Sequence, residues 1–172
     1  MKKNNIPNTL TILRVIIIPF FAAAILTGRY LLAVFLFSLA GLSDVLDGYL
    51  ARKYDLVSEF GKVADPVADK LMQFTALLTL TINGLLDPLI IIIIGTKELL
   101  MGAGTFILFR KKRVINPAGW YGKVTTILIY SAVILLLLGI SAGIYVLYLA
   151  VVTAIFSFIM YGILAGKAIK KD

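Results

Sequence analysis

Long apolar segments separated by short polar stretches make up most of the chain. Six such segments are found, at about residues 9–27, 30–52, 63–83, 86–109, 122–139 and 143–166. Each is close to the roughly 20 residues that an α-helix needs to cross the hydrocarbon core of a bilayer. The polar stretches are too short to form a separate soluble domain, and no internal repeat is evident. The pattern therefore predicts an all-α integral membrane protein, a single domain of residues 1–172 with six transmembrane helices.

The basic residues lie mainly at the ends of these segments. The 172 residues include 17 Lys and Arg against 9 Asp and Glu, which gives a net charge of +8. Cytoplasmic loops of membrane proteins carry an excess of Lys and Arg, and one alternating arrangement of the segments places nearly all of them on that side. These residues are Lys2, Lys3, Arg52, Lys53, Lys62, Arg110, Lys111, Lys112, Arg113, Lys123, Lys167, Lys170 and Lys171. Both termini are therefore expected in the cytoplasm, and the charge indicates membrane topology rather than a nucleic-acid partner.

Four of the acidic residues lie in one stretch, SDVLDGYLARKYDLVSEFGKVADPVADK, residues 43–70. A carboxylate near the bilayer centre costs roughly 2.5–3.5 kcal/mol on insertion scales, so four of them indicate function. In the second segment Asp44 and Asp47 share one helix face, and in the third Asp65 and Asp69 do the same. Because the two helices are antiparallel neighbours, the four carboxylates are expected at one depth, in the cytoplasmic half of the membrane.

The chemistry open to these acids is restricted by composition, since the chain has no Cys and no His. A metal site made only of oxygen ligands favours Mg²⁺, Mn²⁺ or Ca²⁺. Two such ions held by shared carboxylates form an arrangement used for displacement at phosphorus. Gly48, Ala51 and Gly61 lie on the same helix faces and leave room for a ligand, although helix packing explains small residues equally well. Arg52 is suited to bind phosphate.

The spacing of these residues resembles the signature of the CDP-alcohol phosphatidyltransferase family. The matching positions are Asp44, Asp47, Gly48, Ala51, Arg52, Gly61, Asp65 and Asp69, over 26 residues. The resemblance implies that Asp44, Asp47 and Asp65, helped by Asp69, hold two divalent cations, Mg²⁺ or Mn²⁺. It also implies that Asp69 is the general base and that a CDP-lipid lies against the small residues with Arg52 near its phosphates. A homodimer in the bacterial cytoplasmic membrane is implied as well.

The segment NIPNTLTILR, residues 5–14, resembles the N-terminal segment of bacterial members of this family that make phosphatidylglycerophosphate or cardiolipin. In that group the donor is CDP-diacylglycerol. The resemblance implies that Asn8 and Thr9 touch the nucleotide and that Arg14 reaches its phosphates. A helix N-cap explains Asn8 and Thr9 equally well. Arg14 lies inside an apolar helix, where a functional or paired role is expected.

The acceptor alcohol is indicated less directly. A basic cluster near Arg110 and Lys123 would attract an anion such as glycerol 3-phosphate. Basic residues that fix the membrane topology and face anionic lipid would explain much of the same cluster. Lys97 and Glu98 align with an Arg-Glu pair of the glycerophosphate-using enzymes. Adjacent residues on a helix do not face each other, so each of the two is expected to have another partner. The residues expected to bind the acceptor are Lys97, Glu98, Arg110 and Lys123.

Two alternatives remain open. The glycerophosphate-using enzymes tend to have a further Arg where this chain has Thr105, and the segments KELLMGAGTFILFR and GKVTT resemble the cardiolipin-synthase branch about as well. Phosphatidylglycerol is therefore a second possible acceptor. A cation transporter would also use buried acids, but transporter sites usually lie near the midplane between repeated halves. We expect transfer of a phosphatidyl group from CDP-diacylglycerol to glycerol 3-phosphate, at an active site facing the cytoplasm.

Overall fold

The computed structural model describes residues 6–53, 59–110 and 119–169, and these residues form six α-helices and no strand. The helices are α1 (Ile6–Leu26), α2 (Tyr30–Lys53), α3 (Glu59–Ile82), α4 (Pro88–Arg110), α5 (Trp120–Leu137) and α6 (Ala142–Ile169). The prediction of an all-α chain with six helices is confirmed for this part of the protein. The predicted helix ends agree with the structure to within four residues, and the largest difference is at the start of α3 (residue 63 predicted, Glu59 observed).

Helices α1, α3 and α5 end in the same way. Gly28, Gly84 and Gly139 each have a positive φ of 71–72°, a conformation that glycine adopts without steric cost. After α1, the amide of Arg29 donates a hydrogen bond to the carbonyl of Ala24 over 2.8 Å, and equivalent bonds follow α3 and α5. This pattern is the Schellman motif, which satisfies the last carbonyls of a helix. The motif ends each helix just before its glycine and permits a short connection to the next helix.

The start of α4 is fixed by a cap. The Oδ1 atom of Asp87 accepts a hydrogen bond from the amide of Leu89 over 2.8 Å. Pro88 occupies the first helical position, where a missing N–H costs nothing. An acidic N-cap followed by proline is a typical helix start, so the polar residues that separate α3 from α4 have a local structural role.

The chain divides into two compact units, one containing α1, α2 and α3 and the other containing α4, α5 up to Leu136, and α6. In the first unit, α1 packs against both α2 and α3. The rings of Phe21 and Phe37 stack between α1 and α2 with centroids 5.2 Å apart. Directly after the last residue of α3, Asn83 Nδ2 donates a hydrogen bond to the carbonyl of Ile25 over 2.8 Å and joins α3 to α1. Helix α1 is therefore the central element of this unit.

In the second unit α4 packs against α6. A Cβ atom at Gly104 would lie 3.0 Å from the hydroxyl oxygen of Tyr161, so glycine allows the two helices to approach closely here. The hydroxyl of Thr105 lies 3.1 Å from the same oxygen. Between α5 and α6, Thr125 donates to Thr153 over 3.1 Å. Small residues and hydroxyl hydrogen bonds of this kind are typical of helix association in membranes.

Three helices in the described part of the chain are long and apolar enough to cross a membrane. They are Pro88–Thr105 in α4, Trp120–Leu137 in α5 and Ala142–Gly166 in α6. Helices α1 and α2 contain shorter apolar runs, Thr11–Leu26 and Tyr30–Leu46. Large apolar side chains such as Leu31 and Leu99 are 77% exposed, as expected of surfaces that face lipid. The protein therefore has the helices of a membrane protein, with the most apolar ones in the second unit.

Candidate active site

Helix α1 contributes a fully buried cation to the first unit. The side chain of Arg14 has no exposed surface, and its Nη1 atom lies 2.9 Å from Oδ1 of Asp44 on α2. The Asp44 side chain is 42% exposed, so this carboxylate is open to solvent or a ligand on its other side. A buried guanidinium needs a charged partner, because removing it from water is otherwise very costly. The paired role expected for Arg14 is therefore observed, and the partner is one of the predicted metal ligands.

Helix α1 also reaches the acids of α3. The hydroxyl of Thr11 donates a hydrogen bond to Oδ1 of Asp65, and Thr11 is only 2% exposed. Thr11 and Arg14 are three residues apart, so they share one face of α1. That face holds Asp65 with its hydroxyl and Asp44 with its guanidinium. Sequence reasoning missed Thr11, although its position one turn before an intramembrane arginine was a usable signal.

The predicted face of α3 is present in the structure. Gly61 is buried, and Asp65 and Asp69, at successive steps of four residues, are half-buried. Thr11 and Arg14, one turn apart on α1, contact Asp65 and Asp44, so carboxylates of α2 and α3 both lie against the same face of α1. Carboxylate oxygens held at short range in this way are the ligands that Mg²⁺ and Mn²⁺ prefer. The donor set of these residues thus fits a divalent cation.

A complete four-carboxylate cluster is still a prediction. Among the side chains that the structure describes, no group of three or more His, Cys, Asp or Glu has the arrangement of a metal site. The side chain of Asp47 lies outside the described part of the structure, so its role as a ligand stays a prediction. Like charges keep carboxylates apart, and Arg14 and Thr11 each engage one of them.

Several predicted donor-binding residues lie on the expected helices, but their side chains are outside the described part of the structure. Asn8 and Thr9 lie inside the first turn of α1, which begins at Ile6, so the alternative that they form its N-cap is wrong. The remaining ones belong to the last turns of α2, on its predicted ligand face, and are Gly48, Ala51 and Arg52. Their contacts with a nucleotide remain predictions.

The predicted acceptor residues belong to the second unit. Lys97 Nζ lies 2.6 Å from Oε1 of Glu98, with side chains 10% and 26% exposed. The expectation that these neighbours would not meet is wrong, because two long side chains on adjacent positions can bend toward each other above the helix surface. Lys123 is exposed on the first turn of α5, and Arg110 is the last residue of α4. Basic charge at both positions suits the attraction of an anion.

Gln73 is a second residue that sequence reasoning missed. It follows Asp69 by four residues on α3 and is 3% exposed. Its Oε1 atom accepts a hydrogen bond from Lys70 Nζ over 3.3 Å. The signal was present in the sequence, because the spacing of four that links Gly61, Asp65 and Asp69 continues to this polar residue.

Comparison with known proteins identifies the family of the chain. A family model described as CDP-alcohol phosphatidyltransferase matches residues 4–156, which extend across both units. The chain belongs to this family. Enzymes of the family generally depend on divalent metal ions, in agreement with the oxygen ligands of the first unit.

Named relatives cover most of the chain. A CDP-diacylglycerol–glycerol-3-phosphate 3-phosphatidyltransferase of Rickettsia felis is 37% identical over 97% of this chain and 96% of its own length. A probable phosphatidylglycerophosphate synthase of Mycobacterium tuberculosis is 34% identical over 87% of this chain and 74% of its own length. A protein of Aquifex aeolicus with the first of these names is 34% identical over 73% of this chain and 71% of its own length.

Proposed function

We propose that this protein transfers a phosphatidyl group from CDP-diacylglycerol to a hydroxyl of glycerol 3-phosphate, forming phosphatidylglycerophosphate and releasing CMP. The structural observation that carries the proposal is the pair of contacts made by α1, from Arg14 to Asp44 and from Thr11 to Asp65. These contacts hold carboxylates of two helices beside one another in a membrane protein, where isolated acids are costly. The names of the relatives, which match nearly the whole chain, support the same reaction.

The reaction forms one bond at phosphorus and breaks another. The acceptor hydroxyl oxygen attacks the phosphorus that bears the diacylglycerol, and the bond from that phosphorus to the CMP oxygen breaks. CMP leaves with the electron pair, and the hydroxyl proton passes to a carboxylate oxygen of Asp69. Asp69 suits this role because it lies beside the other acids yet is half-buried and accessible.

We assign two divalent cations, Mg²⁺ or Mn²⁺, to Asp44, Asp47, Asp65 and Asp69. When bound, the ions neutralise the charge of the diphosphate and of the departing CMP. Thr11 and Arg14 act on two of these ligands, fixing the orientation of Asp65 and Asp44. Since the Arg14 guanidinium already contacts Asp44, we assign it to that carboxylate rather than to the phosphates. This changes the role implied by the resemblance.

Donor binding is assigned to the small residues and to the ends of α1 and α2. Gly61 is buried on the face of α3 that carries the acids, so a ligand there meets backbone rather than side chain. Gly48 and Ala51 would serve the same purpose on α2. Arg52 would bind the diphosphate. Asn8 and Thr9, in the first turn of α1, would contact the cytidine nucleotide.

In this proposal all six helices cross the bacterial cytoplasmic membrane, with both termini and the active site on the cytoplasmic side. The bias of Lys and Arg toward one side of the segments supports this orientation. The shorter apolar runs of α1 and α2 agree with helices that carry a polar site near one end. A homodimer of this single domain would be the functional form.

The acceptor is assigned by charge. Acceptor binding is assigned to Lys97, Glu98, Arg110 and Lys123, and the basic charge of Arg110 and Lys123 would attract the glycerol 3-phosphate anion. A second candidate acceptor, phosphatidylglycerol, is favoured by one observation. Thr105 occupies the place of an expected arginine, and its hydroxyl is engaged with Tyr161 and with the carbonyl of Met101. The alternative activity is that of a cardiolipin synthase-type enzyme.

A product assay distinguishes the two acceptors. Purified protein in lipid nanodiscs is supplied with CDP-diacylglycerol, Mg²⁺ or Mn²⁺, and either glycerol 3-phosphate or phosphatidylglycerol, and CMP and lipid products are quantified. Phosphatidylglycerophosphate formed only with the first acceptor supports the proposal. Cardiolipin formed only with the second would establish the alternative activity, and ion flux across sealed proteoliposomes without CMP release would indicate a transporter.

A further inference from the structure

Gln73 is a buried polar residue of α3 that the proposed chemistry does not use. Its side chain is 3% exposed. It lies four residues beyond Asp69 and eight beyond Asp65, so it belongs to the helix face that carries both acids. One helical turn, about 6 Å along the axis, separates it from Asp69. Its position therefore borders the site without being part of the carboxylate group.

The orientation of the Gln73 amide follows from its neighbour. Lys70 Nζ lies 3.3 Å from Oε1 of Gln73. An ammonium group only donates hydrogen bonds, so the amide oxygen faces Lys70 and the Nε2 atom faces away from it. Nε2 carries two N–H donors. It is buried and has no hydrogen-bond acceptor within the part of the chain that the structure describes.

An unsatisfied buried amide is unusual and costly, since buried polar groups nearly always have partners. Thr79, another buried polar side chain of α3, has the usual kind of partner, a backbone carbonyl. The hydroxyl of Thr79 donates to the carbonyl of Thr75 over 2.7 Å, within its own helix. The two N–H donors of Gln73 Nε2 make no such bond to any residue that the structure describes. A ligand with acceptor oxygens would satisfy them.

We infer that Nε2 of Gln73 donates a hydrogen bond to an ester carbonyl oxygen of the diacylglycerol part of the donor lipid. The inference rests on the proposed function. In the proposed orientation α3 runs from the cytoplasmic side into the membrane, so Gln73 lies deeper than Asp69. An ester carbonyl oxygen is six bonds from the reacting phosphorus, roughly 6–7 Å in an extended chain. That distance is close to the helical turn between Asp69 and Gln73.

The chemistry of the ester matches the free donors. An ester carbonyl only accepts hydrogen bonds, and the hydrocarbon region offers it few donors. Glycerol 3-phosphate is a less suitable partner, because its reacting hydroxyl must face Asp69 and its phosphate enters from the aqueous side. Gln73 would thus select a lipid whose chains are ester-linked at the correct depth.

The test compares the affinity of two donors for purified protein in nanodiscs, without acceptor. One is CDP-dioleoylglycerol, and the other is its dialkyl ether analogue, which keeps the diphosphate and chain length but has no ester carbonyl. Wild-type protein should bind the ester about fivefold more tightly, the effect of one ordinary hydrogen bond. Equal affinity for the two donors in wild-type protein would overturn the inference, even if every variant failed to fold.

Two variants locate the effect at Gln73. Gln73→Met has similar length and no N–H donors, and Gln73→Glu keeps an oxygen for Lys70 but loses the donors. Both should lose the preference for the ester. Thr79→Val is the matched control, because it removes a buried polar group of α3 that bonds only within the helix. It should keep the preference.

The outcomes separate this inference from the proposed function. If both variants weaken ester and ether binding equally, Gln73 has a structural role and the inference is wrong. If both donors bind well and release CMP with an acceptor but no preference exists, the proposed transfer stands and the inference fails. If wild-type protein binds neither donor, both fail together.

Discussion

The two units of this protein use polar side chains in different ways. In the first unit, charged side chains contact groups on another helix. Arg14 on α1 pairs with Asp44 on α2, and Thr11 on α1 donates a hydrogen bond to Asp65 on α3. In the second, the interhelical contacts described are between neutral groups, such as Thr125 with Thr153. Neutral hydroxyl contacts hold membrane helices together at modest gain. Buried charges are far more costly, and the contact of Arg14 with Asp44 supports our proposal that the active site lies in the first unit.

The second unit does contain a charged pair, and its geometry sharpens the comparison. Lys97 and Glu98 are adjacent in sequence and contact each other at 2.6 Å on one helix. Arg14 and Asp44 are thirty positions apart in the chain and join two helices. The pair of Lys97 and Glu98 needs only its own helix to form, whereas the pair of Arg14 and Asp44 requires the tertiary fold. The first kind neutralises charge within one helix, and the second joins two helices.

Removing divalent ions should have the largest effect. Chelation with EDTA is expected to reduce CMP release to background, because the carboxylates of the first unit would then repel the diphosphate. Added Mg²⁺ or Mn²⁺ should restore it. Helix content measured by circular dichroism should stay constant throughout. Full activity in EDTA after extensive dialysis would contradict the metal assignment.

Asp69→Asn should come next. Loss of a general base typically costs about 10²–10⁴-fold in rate, so CMP release should fall by that factor while CDP-diacylglycerol still binds measurably. The matched control is Asp87→Asn in the second unit, an exposed cap of α4. That change should leave the rate within about twofold and lower stability by about 1 kcal/mol at most. A near-normal rate for Asp69→Asn would remove it from the role of base.

Arg14→Met tests the long-range pair. It leaves the Asp44 carboxylate without its buried partner and should reduce the free energy of unfolding by about 2 kcal/mol, less than for a fully buried pair because Asp44 is partly exposed. Lys97→Met in the second unit should cost less than half of that, since Glu98 has a further interaction. Thermal unfolding of both variants in the same detergent provides the measurement. Equal losses would show that the two pairs do not differ as described.

Thr11→Val should lower stability less than Arg14→Met does and should have a measurable effect on the site. It removes a hydrogen bond to a carboxylate, which contributes about 1.5 kcal/mol, and leaves Asp65 free to rotate. The Mn²⁺ concentration for half-maximal binding, measured by calorimetry, should rise severalfold. Thr125→Val, which removes an interhelical bond of the second unit, should leave Mn²⁺ binding unchanged. A change of similar size in both variants would indicate a general loosening of the helices.

Much of the fold follows from local sequence. The apolar segments, the glycines at 28, 84 and 139 and the cap at Asp87 predict where helices begin and end, because these signals act over a few residues. The face shared by Gly61, Asp65 and Asp69 also follows from spacing alone, since helix periodicity is fixed. The number and bounds of the helices could therefore be predicted to within four residues.

The partners across helices could not be predicted in this way. The sequence placed Arg14 with phosphates, and the structure pairs it with Asp44. It treated Lys97 and Glu98 as facing different ways, and the structure joins them. It overlooked Thr11 and Gln73. The error at Lys97 and Glu98 and the omission of Thr11 and Gln73 concern side chains whose environment depends on the tertiary structure, whereas phosphate binding by Arg14 stays a prediction.

The sequence by itself determined a helical membrane protein and predicted an oxygen-ligand site in its second and third helices, because composition, spacing and the cost of buried charge are properties of the chain. Only the tertiary structure decided that α1 holds that site together. Helix spacing fixes which residues share a face, but the contacts of that face depend on packing between helices distant in sequence. Thr11 and Arg14 meet Asp65 and Asp44 for that reason alone.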